Sequence, residues 1–254
     1  MNVKFLGVGE AFDEILPNTS IWVRTEDGGK RSSVLLDCGF TAPPPFWQNC
    51  TDPDDLDAIW ISHFHGDHYF GMPALLTRFW EAGRKKPLLI LGQQGVDDAV
   101  LEALALAYPS VRGKIAFDLQ FRTIEPDQEV EATGLVWQTA LNAHPQRDLA
   151  VRILSNGKSL FYSGDGRPTQ EALALANGCD LIIHEAFHLD QEMPGHGNIM
   201  HCIEFARRAN ARSLALVHIQ RDERRNRRGE ILRVIGSVED LRILMPEPGE
   251  EIEI

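Results

Sequence analysis

Metal-capable side chains are concentrated in one short stretch, where His63, His65, Asp67 and His68 lie within six residues after an apolar segment. Ligands at the point where a strand enters a loop face the crevice in which α/β proteins bind their ligands. Alternate residues of an extended turn point the same way, so His63 and His65 can hold one ion together. Asp67 and His68 lie beyond Gly66 and can reach a second ion. We expect glycine there because the chain must bend without an obstructing Cβ.

The hydrophobic pattern predicts strands and helices in two similar halves. The first half is predicted to contain strands at 3–8, 20–25, 32–39, 57–62 and 87–92 and helices at 71–83 and 97–108. The second half is predicted to contain strands at 115–124, 135–141, 149–155, 158–163, 180–185 and 213–219, helices at 168–177 and 199–210, and a last strand in the tail. No linker is evident, so residues 1–254 are predicted to form a single domain. Clustered strands that then alternate with helices favour two packed sheets with helices outside, among several α/β layouts.

Three further candidate ligands each follow an apolar run. His144 comes after WQTALNA, Asp165 after LFYSG, and His218 after SLALV. A two-metal site needs about six or seven protein ligands as well as water. These residues at strand ends can therefore complete the two coordination shells that the histidine motif begins.

At these residues the chain resembles the metallo-β-lactamase superfamily, and within it the ribonuclease Z-like branch. The resemblance extends over nearly the whole chain. It is carried by FLGVGEAF (5–12), SSVLLDCG (32–39), AIWISHFHGDHYFGM (58–72), LFYSGDGRP (160–168), DLIIHEAF (180–187), GHGNIMHCIEFA (195–206) and LALVHI (214–219). It implies the α/β metallo-β-lactamase fold, a four-layer αββα sandwich.

The resemblance also implies a two-metal site. One metal would be held by His63, His65 and His144, the other by Asp67, His68 and His218, and Asp165 would bridge both. Five of these seven ligands are imidazoles, which suit zinc better than magnesium, and manganese and iron remain alternatives.

The mechanism implied by the resemblance uses a hydroxide bridging two divalent ions as the nucleophile on phosphorus or on a carbonyl carbon. Asp67 can accept a proton from the bridging water. His196 resembles the branch's residue that protonates the leaving group, and Glu185 would keep its imidazole charged and oriented. The predicted catalytic residues are therefore Asp67, His196 and Glu185.

The chain departs from ribonuclease Z in the region that grips tRNA. Ribonuclease Z carries a long arm, usually between the third metal histidine and the bridging aspartate. Here the corresponding span, 145–164, has room only for two strands and a turn. Gly197 and Asn198 replace the usual Ser-Thr pair, and Gly166 replaces a common threonine. These differences argue against tRNA processing and leave the metal chemistry intact.

The composition limits the classes of molecule that the protein is expected to bind. A formal net charge of −12 disfavours nucleic acid, since phosphate neutralisation supplies most of that affinity. Six arginines between 221 and 233 could instead line the cleft mouth and bind phosphate, or could lie on a solvated, charge-mixed surface. The four scattered cysteines, the lack of a secretory signal and the lack of a long apolar run predict a cytoplasmic protein that does not bind membranes. A homodimer is left open.

Four functions are compatible with these residues. The favoured one is a phosphodiesterase for a small or nucleotide-like phosphodiester, which would be the substrate partner. A lactone, thioester or carboxyl-ester hydrolase would use the same hydroxide. A tRNA 3′-processing endoribonuclease would make RNA the partner. A non-catalytic binding or scaffold protein on the same fold is the fourth, although such proteins typically lose ligands that this chain retains.

Overall fold

A computed structural model describes residues 1–254, apart from the side chain of Arg112. The strands are β1 (Asn2–Gly7), β2 (Ser20–Asp27), β3 (Lys30–Leu36), β4 (Ala58–Ile61), β5 (Leu88–Gly92), β6 (Leu119–Thr123), β7 (Glu129–Ala132), β8 (Leu135–Leu141), β9 (Leu149–Ser155), β10 (Lys158–Tyr162), β11 (Leu181–Glu185), β12 (Ser213–Val217), β13 (Arg242–Leu244) and β14 (Glu251–Glu253). The helices are α1 (Pro43–Asn49), α2 (Gly66–Tyr69), α3 (Met72–Glu81), α4 (Val96–Ala107), α5 (Gln170–Ala176), α6 (Ile199–Arg208), α7 (Arg221–Asn226) and α8 (Arg228–Gly236).

The strands form two seven-stranded mixed sheets. The first has the order β14-β1-β2-β3-β4-β5-β6, and the second has the order β13-β12-β11-β10-β9-β8-β7. In the first sheet β3 to β6 run parallel, and in the second β10 to β13 run parallel. Strand β8 is antiparallel to β9, which is antiparallel to β10, so β8 and β10 also point the same way. The carboxyl ends of the parallel strands within each sheet therefore share an edge.

Apolar side chains fill the space between the sheets, where Trp60 of β4 stacks on Trp137 of β8 with ring centroids 6.3 Å apart. A second apolar cluster joins the outer face of the first sheet to α1, α3 and α4. A third joins the outer face of the second sheet to α5, α6 and α8. The layer order is thus helices, sheet, sheet, helices, and the predicted αββα sandwich is confirmed.

Side-chain caps fix the starts of α5 and α6, two of the helices that follow strands of the second sheet. The hydroxyl of Thr169 accepts a hydrogen bond from the backbone N–H of Ala172 at the start of α5, at 3.0 Å. The side chain of Asn198 accepts one from the N–H of His201 at the start of α6, at 2.8 Å. Such caps satisfy N–H groups that the first helical turn leaves free. Asn198 thereby fixes where the loop before α6 ends.

The role expected for Gly66 needs a correction. Gly66 is the first residue of the short helix α2, and it lacks the positive φ that favours glycine. A Cβ on Gly66 would lie 2.8 Å from the ring of Phe70, a half-exposed side chain that would have to shift. Within the described residues, none of the helices has the length and apolar character needed to cross a membrane.

Candidate metal centre

The motif that begins at His63 is anchored to the neighbouring strand by Asp37. Asp37 follows β3 and adopts a left-handed backbone conformation with φ of 58°. Its carboxylate accepts hydrogen bonds from the backbone N–H and the hydroxyl of Ser62, at 2.8 and 2.7 Å. It also contacts Nδ1 of His68 at 2.7 Å and accepts from the Tyr162 hydroxyl of the other sheet at 2.6 Å. One buried carboxylate thus fixes the start of the motif and orients His68.

All seven residues that the sequence predicts as metal ligands lie together in two overlapping groups. In each group the candidate ligand atoms lie within 4.8 Å of one another. We call the first the His144 group, formed by His63, His65, His144 and Asp165, and the second the His218 group, formed by Asp67, His68, Asp165 and His218. Asp165 belongs to both groups, as the predicted bridging residue should.

A carboxylate contact and a hydrogen bond orient two imidazoles of the His144 group. Nδ1 of His63 lies 3.0 Å from Oδ1 of Asp148, and Nδ1 of His144 donates to the carbonyl of Gly195 at 2.8 Å. The Nε2 atoms of His63 and His144 then face Nδ1 of His65, at 3.0 and 3.2 Å. Partners of this kind fix the tautomer of a ligating histidine and aim its other nitrogen at the metal.

The His218 group places imidazole nitrogens against carboxylate oxygens. Nε2 of His68 lies 3.1 Å from Oδ2 of Asp67 and 3.4 Å from Oδ1 of Asp165. Nε2 of His218 lies 3.2 and 3.5 Å from the same two oxygens. These four side chains are buried and converge on one point.

Two atoms at this point fit a bound cation. Nε2 of His68 and Oδ1 of Asp165 are both buried, and neither has a hydrogen-bond partner within the part of the chain that the structure describes. An orphaned buried polar atom is costly, and a divalent cation would satisfy both at once. The mixture of imidazole nitrogens and carboxylate oxygens suits zinc, manganese or iron. The two groups are therefore candidate metal-binding clusters.

The metal-free protein carries different charges in the two groups. Burial lowers the pKa of His63 to about 3 and that of His144 to about 4, so both imidazoles are neutral at pH 7. In the His218 group burial lowers the pKa of the imidazoles, but nearby carboxylates raise it by more. They raise the pKa of His218 to about 9 and raise the pKa of His68 well above its ordinary value. His68 and His218 consequently hold protons that a cation must displace.

The two groups should therefore respond differently to pH. We expect cation binding to the His218 group to strengthen as pH rises from 6 to 8, by up to about 100-fold per pH unit if two protons are released. Binding to the His144 group should change much less steeply, because His63 and His144 have no proton to release. Competition titrations with a chromophoric chelator at several pH values would measure both affinities. Equal slopes for the two ions would contradict this charge assignment.

His196, the residue predicted to protonate a leaving group, lies beside both groups. Its ring is stacked on that of His218, with centroids 6.0 Å apart and planes 12° apart, and it lies 5.2 Å from the ring of His144. Phe187 stacks on it at 4.7 Å. Nδ1 of His196 lies 3.6 Å from Oε1 of Glu185, close enough for an ion pair but longer than a hydrogen bond.

Glu185 also accepts two backbone hydrogen bonds that the sequence did not reveal. Its Oε1 accepts hydrogen bonds from the backbone N–H of Gly166 at 3.0 Å and of Gly197 at 2.6 Å. Gly166 follows Asp165, and Gly197 follows His196. The same carboxylate therefore fixes the backbone next to the shared ligand and next to His196.

Sequence reasoning also missed Asp37 and Asp148, which hold His68 and His63 in place. Asp37 had a signal, since it ends the apolar run SSVLLD beside the strand that carries the motif. Asp148 had none, because it lies in a loop far along the chain from His63 and only the packing of the two sheets brings them together.

The arginines between 221 and 233 belong largely to α7 and α8. The hydrophobic pattern did not predict these two helices. Five of the six pair with carboxylates. Arg221 pairs with Glu10, Arg224 and Arg228 with Glu247, Arg225 with Asp13 and Glu14, and Arg227 with Asp190, Glu223 and Glu230. Their charges are therefore largely neutralised by the chain itself.

Comparison with known proteins identifies relatives along nearly the whole chain. A family model described as "Anti-Pycsar protein Apyc1" matches residues 1–234. Ribonuclease BN of Salmonella paratyphi B is 29% identical over an alignment that covers 86% of this chain and 89% of the relative.

Solved structures share the fold at lower identity. Human tRNase Z, short form, has a TM-score of 0.81 and 22% identity, covering 100% of this chain and 99% of that structure. A diphosphatase of the PhnP family has a TM-score of 0.74 and 14% identity, covering 100% and 97%. Together with the ribonuclease relative, these similarities confirm the predicted resemblance to the metallo-β-lactamase superfamily and its ribonuclease Z-like branch.

Proposed function

We propose that this chain, which belongs to the family described as anti-Pycsar protein Apyc1, is a two-metal phosphodiesterase for a small or nucleotide-like phosphodiester. The observation that carries the proposal is the pair of ligand groups joined by Asp165, with His196 stacked beside them. Two cation sites next to an imidazole can stabilise the attacking and leaving oxygens of a phosphodiester and protonate the leaving group.

When bound, two divalent cations would supply a water of lowered pKa and would neutralise charge that builds up on the substrate. Asp67 has a carboxylate oxygen at the centre of the His218 group, where it would accept the proton of the attacking water. The nearby imidazoles of His68 and His218 outweigh burial and hold the pKa of Asp67 far below its ordinary value. In the metal-free protein Asp67 is therefore ionised and able to attract a cation.

His196 would donate a proton to the leaving oxygen. Its stacking between Phe187 and His218 holds the plane of the ring, and Glu185 lies on its Nδ1 side. With the carboxylate on the Nδ1 side, Nε2 would be left to face the substrate. Proton delivery matters most when the leaving group is a poor one, such as the hydroxyl of a sugar.

A small substrate is favoured over RNA by the surface and by the loops. Five of the six arginines between 221 and 233 are paired with carboxylates, so they add little free positive charge to a chain with a net charge of −12. Residues 145–164 are taken up largely by β9 and β10, as the sequence predicted. The similarity to ribonuclease BN supports tRNA 3′ processing as the second candidate, in which RNA would need another surface of the protein.

The test is metal content measured beside substrate selectivity. Freshly purified protein should contain about two metal ions per chain by elemental analysis. It should hydrolyse bis(p-nitrophenyl) phosphate, and chelation should abolish turnover until metal is restored. A lactone, a thioester, a carboxyl ester and a tRNA precursor serve as competing substrates. Turnover of one of these without phosphodiester hydrolysis would overturn the proposal. A chain that binds no metal would instead support a non-catalytic binding or scaffold protein.

A further inference from the structure

The side chain of Arg167 contacts the loop that carries His196. All of its recorded polar contacts go to that loop. Its Nε donates to the carbonyls of Met193 and His196, at 3.0 and 3.2 Å. Its Nη2 donates to the Met193 carbonyl at 2.7 Å and pairs with Glu192 at 2.7 Å. A planar guanidinium offers such a fork of donors, whereas a lysine ammonium offers a single point of charge.

The backbone of Arg167 is fixed by a pair of hydrogen bonds to Ala143. Its N–H donates to the carbonyl of Ala143 at 3.1 Å, and the N–H of Ala143 donates back to the carbonyl of Arg167 at 3.2 Å. Ala143 precedes the candidate ligand His144, and Asp165 lies two residues before Arg167. The arginine therefore extends from the segments that carry two candidate ligands to the loop that carries His196.

The loop in turn contacts the His144 group. The carbonyl of Gly195 accepts the hydrogen bond from Nδ1 of His144 at 2.8 Å. Gly195 has φ of 80°, and a Cβ there would lie 2.4 Å from Cδ of Pro145, so the loop packs tightly on the residue after His144. A displacement of residues 192–196 would disturb both His196 and the orientation of His144.

We infer that Arg167 is the positioning residue for His196. It holds the loop 192–196 in the position from which that imidazole can reach the leaving oxygen. The inference rests on the proposed function for the role of His196, but the hold on the loop can be measured without turnover. Small misplacements of a reacting group cost up to about 100-fold in rate. Arg167 does not touch the reacting atoms and acts only through the loop.

The first experiment compares Arg167→Ala, Arg167→Lys and the matched control Arg207→Ala by amide hydrogen exchange. Arg207 is also a partly exposed arginine with a two-point contact, to Asp240, but it lies on α6 away from the loop. Exchange of the His196 amide, which donates to the Met193 carbonyl, should rise at least about tenfold in Arg167→Ala and change little in the control. Arg167→Lys should fall between them. Unchanged exchange in Arg167→Ala would overturn the inference whether or not the wild type turns over.

The second experiment is a double-mutant cycle with His196→Ala on a phosphodiester that has a poor leaving group. At saturating metal, where any weakening at His144 is compensated, Arg167→Ala should lower kcat by about 10- to 100-fold, and the double variant should be no slower than His196→Ala alone. Losses that multiply would show that Arg167 acts independently of His196. If the wild type binds metal but cleaves no phosphodiester, the proposed function fails, and hydrogen exchange alone decides whether Arg167 holds the loop.

Discussion

Asp165→Asn is expected to release at least one of the two metal ions and to lower phosphodiester turnover by at least about a thousandfold. Oδ1 of Asp165 faces Nε2 of both His68 and His218, at 3.4 and 3.5 Å, and Oδ2 lies 4.0 Å from Nε2 of His63. An asparagine of the same shape removes the negative charge between the two cations. Its amide nitrogen also has no lone pair for a metal. Elemental analysis and steady-state kinetics on the same preparation would measure both effects.

Asp180→Asn is the matched control for this change. Asp180 is also a buried carboxylate in the second sheet's loops, but it precedes β11 and accepts its hydrogen bond from the backbone N–H of Ser159. It lies at the opposite end of β11 from Glu185, so its loss should leave metal content and kcat near those of the wild type. An Asp165→Asn protein that keeps two ions and full turnover would show that Asp165 is not the shared ligand.

The fold was predictable where apolar residues repeat with a clear period. The segments 135–141 and 149–155 match β8 and β9 residue for residue, because both strands are buried between turn residues. Helix α1 was missed because PPPFWQN reads as a proline-rich turn, although proline suits the first helical turn. Helices α7 and α8 were missed because their charged residues mask the few buried positions, chiefly Arg224 and Ile231.

The site was predictable to the extent that its chemistry lies at strand ends. His144, Asp165 and His218 follow apolar runs, and parallel strands bring such ends to one edge. The residues that orient the ligands follow no such rule. Asp148 and Arg167 gain their roles from contacts to segments distant in the chain, which a single sequence does not encode as a local pattern.

His196→Ala is expected to lower kcat by about 100- to 10,000-fold for a phosphodiester with a poor leaving group, while metal content stays at the wild-type level. His196 belongs to neither of the two groups that hold the predicted ligands, so its removal leaves the cations their coordination shells. The loss should shrink for bis(p-nitrophenyl) phosphate, because p-nitrophenolate departs without needing a proton. A plot of rate against leaving-group basicity should therefore be steeper for the variant than for the wild type.

His201→Ala provides the control, since His201 lies on α6 only a few residues further along and its side chain is 52% exposed. That variant should keep the wild-type dependence on the leaving group, because Arg167 still holds Glu192 after the exposed contact from His201 is lost. If His196→Ala instead slowed good and poor leaving groups equally, the imidazole would be binding the substrate and not protonating the departing oxygen. If it lost metal as well, His196 would have to be counted among the ligands, together with Glu185 and His218, which lie within reach of one ion.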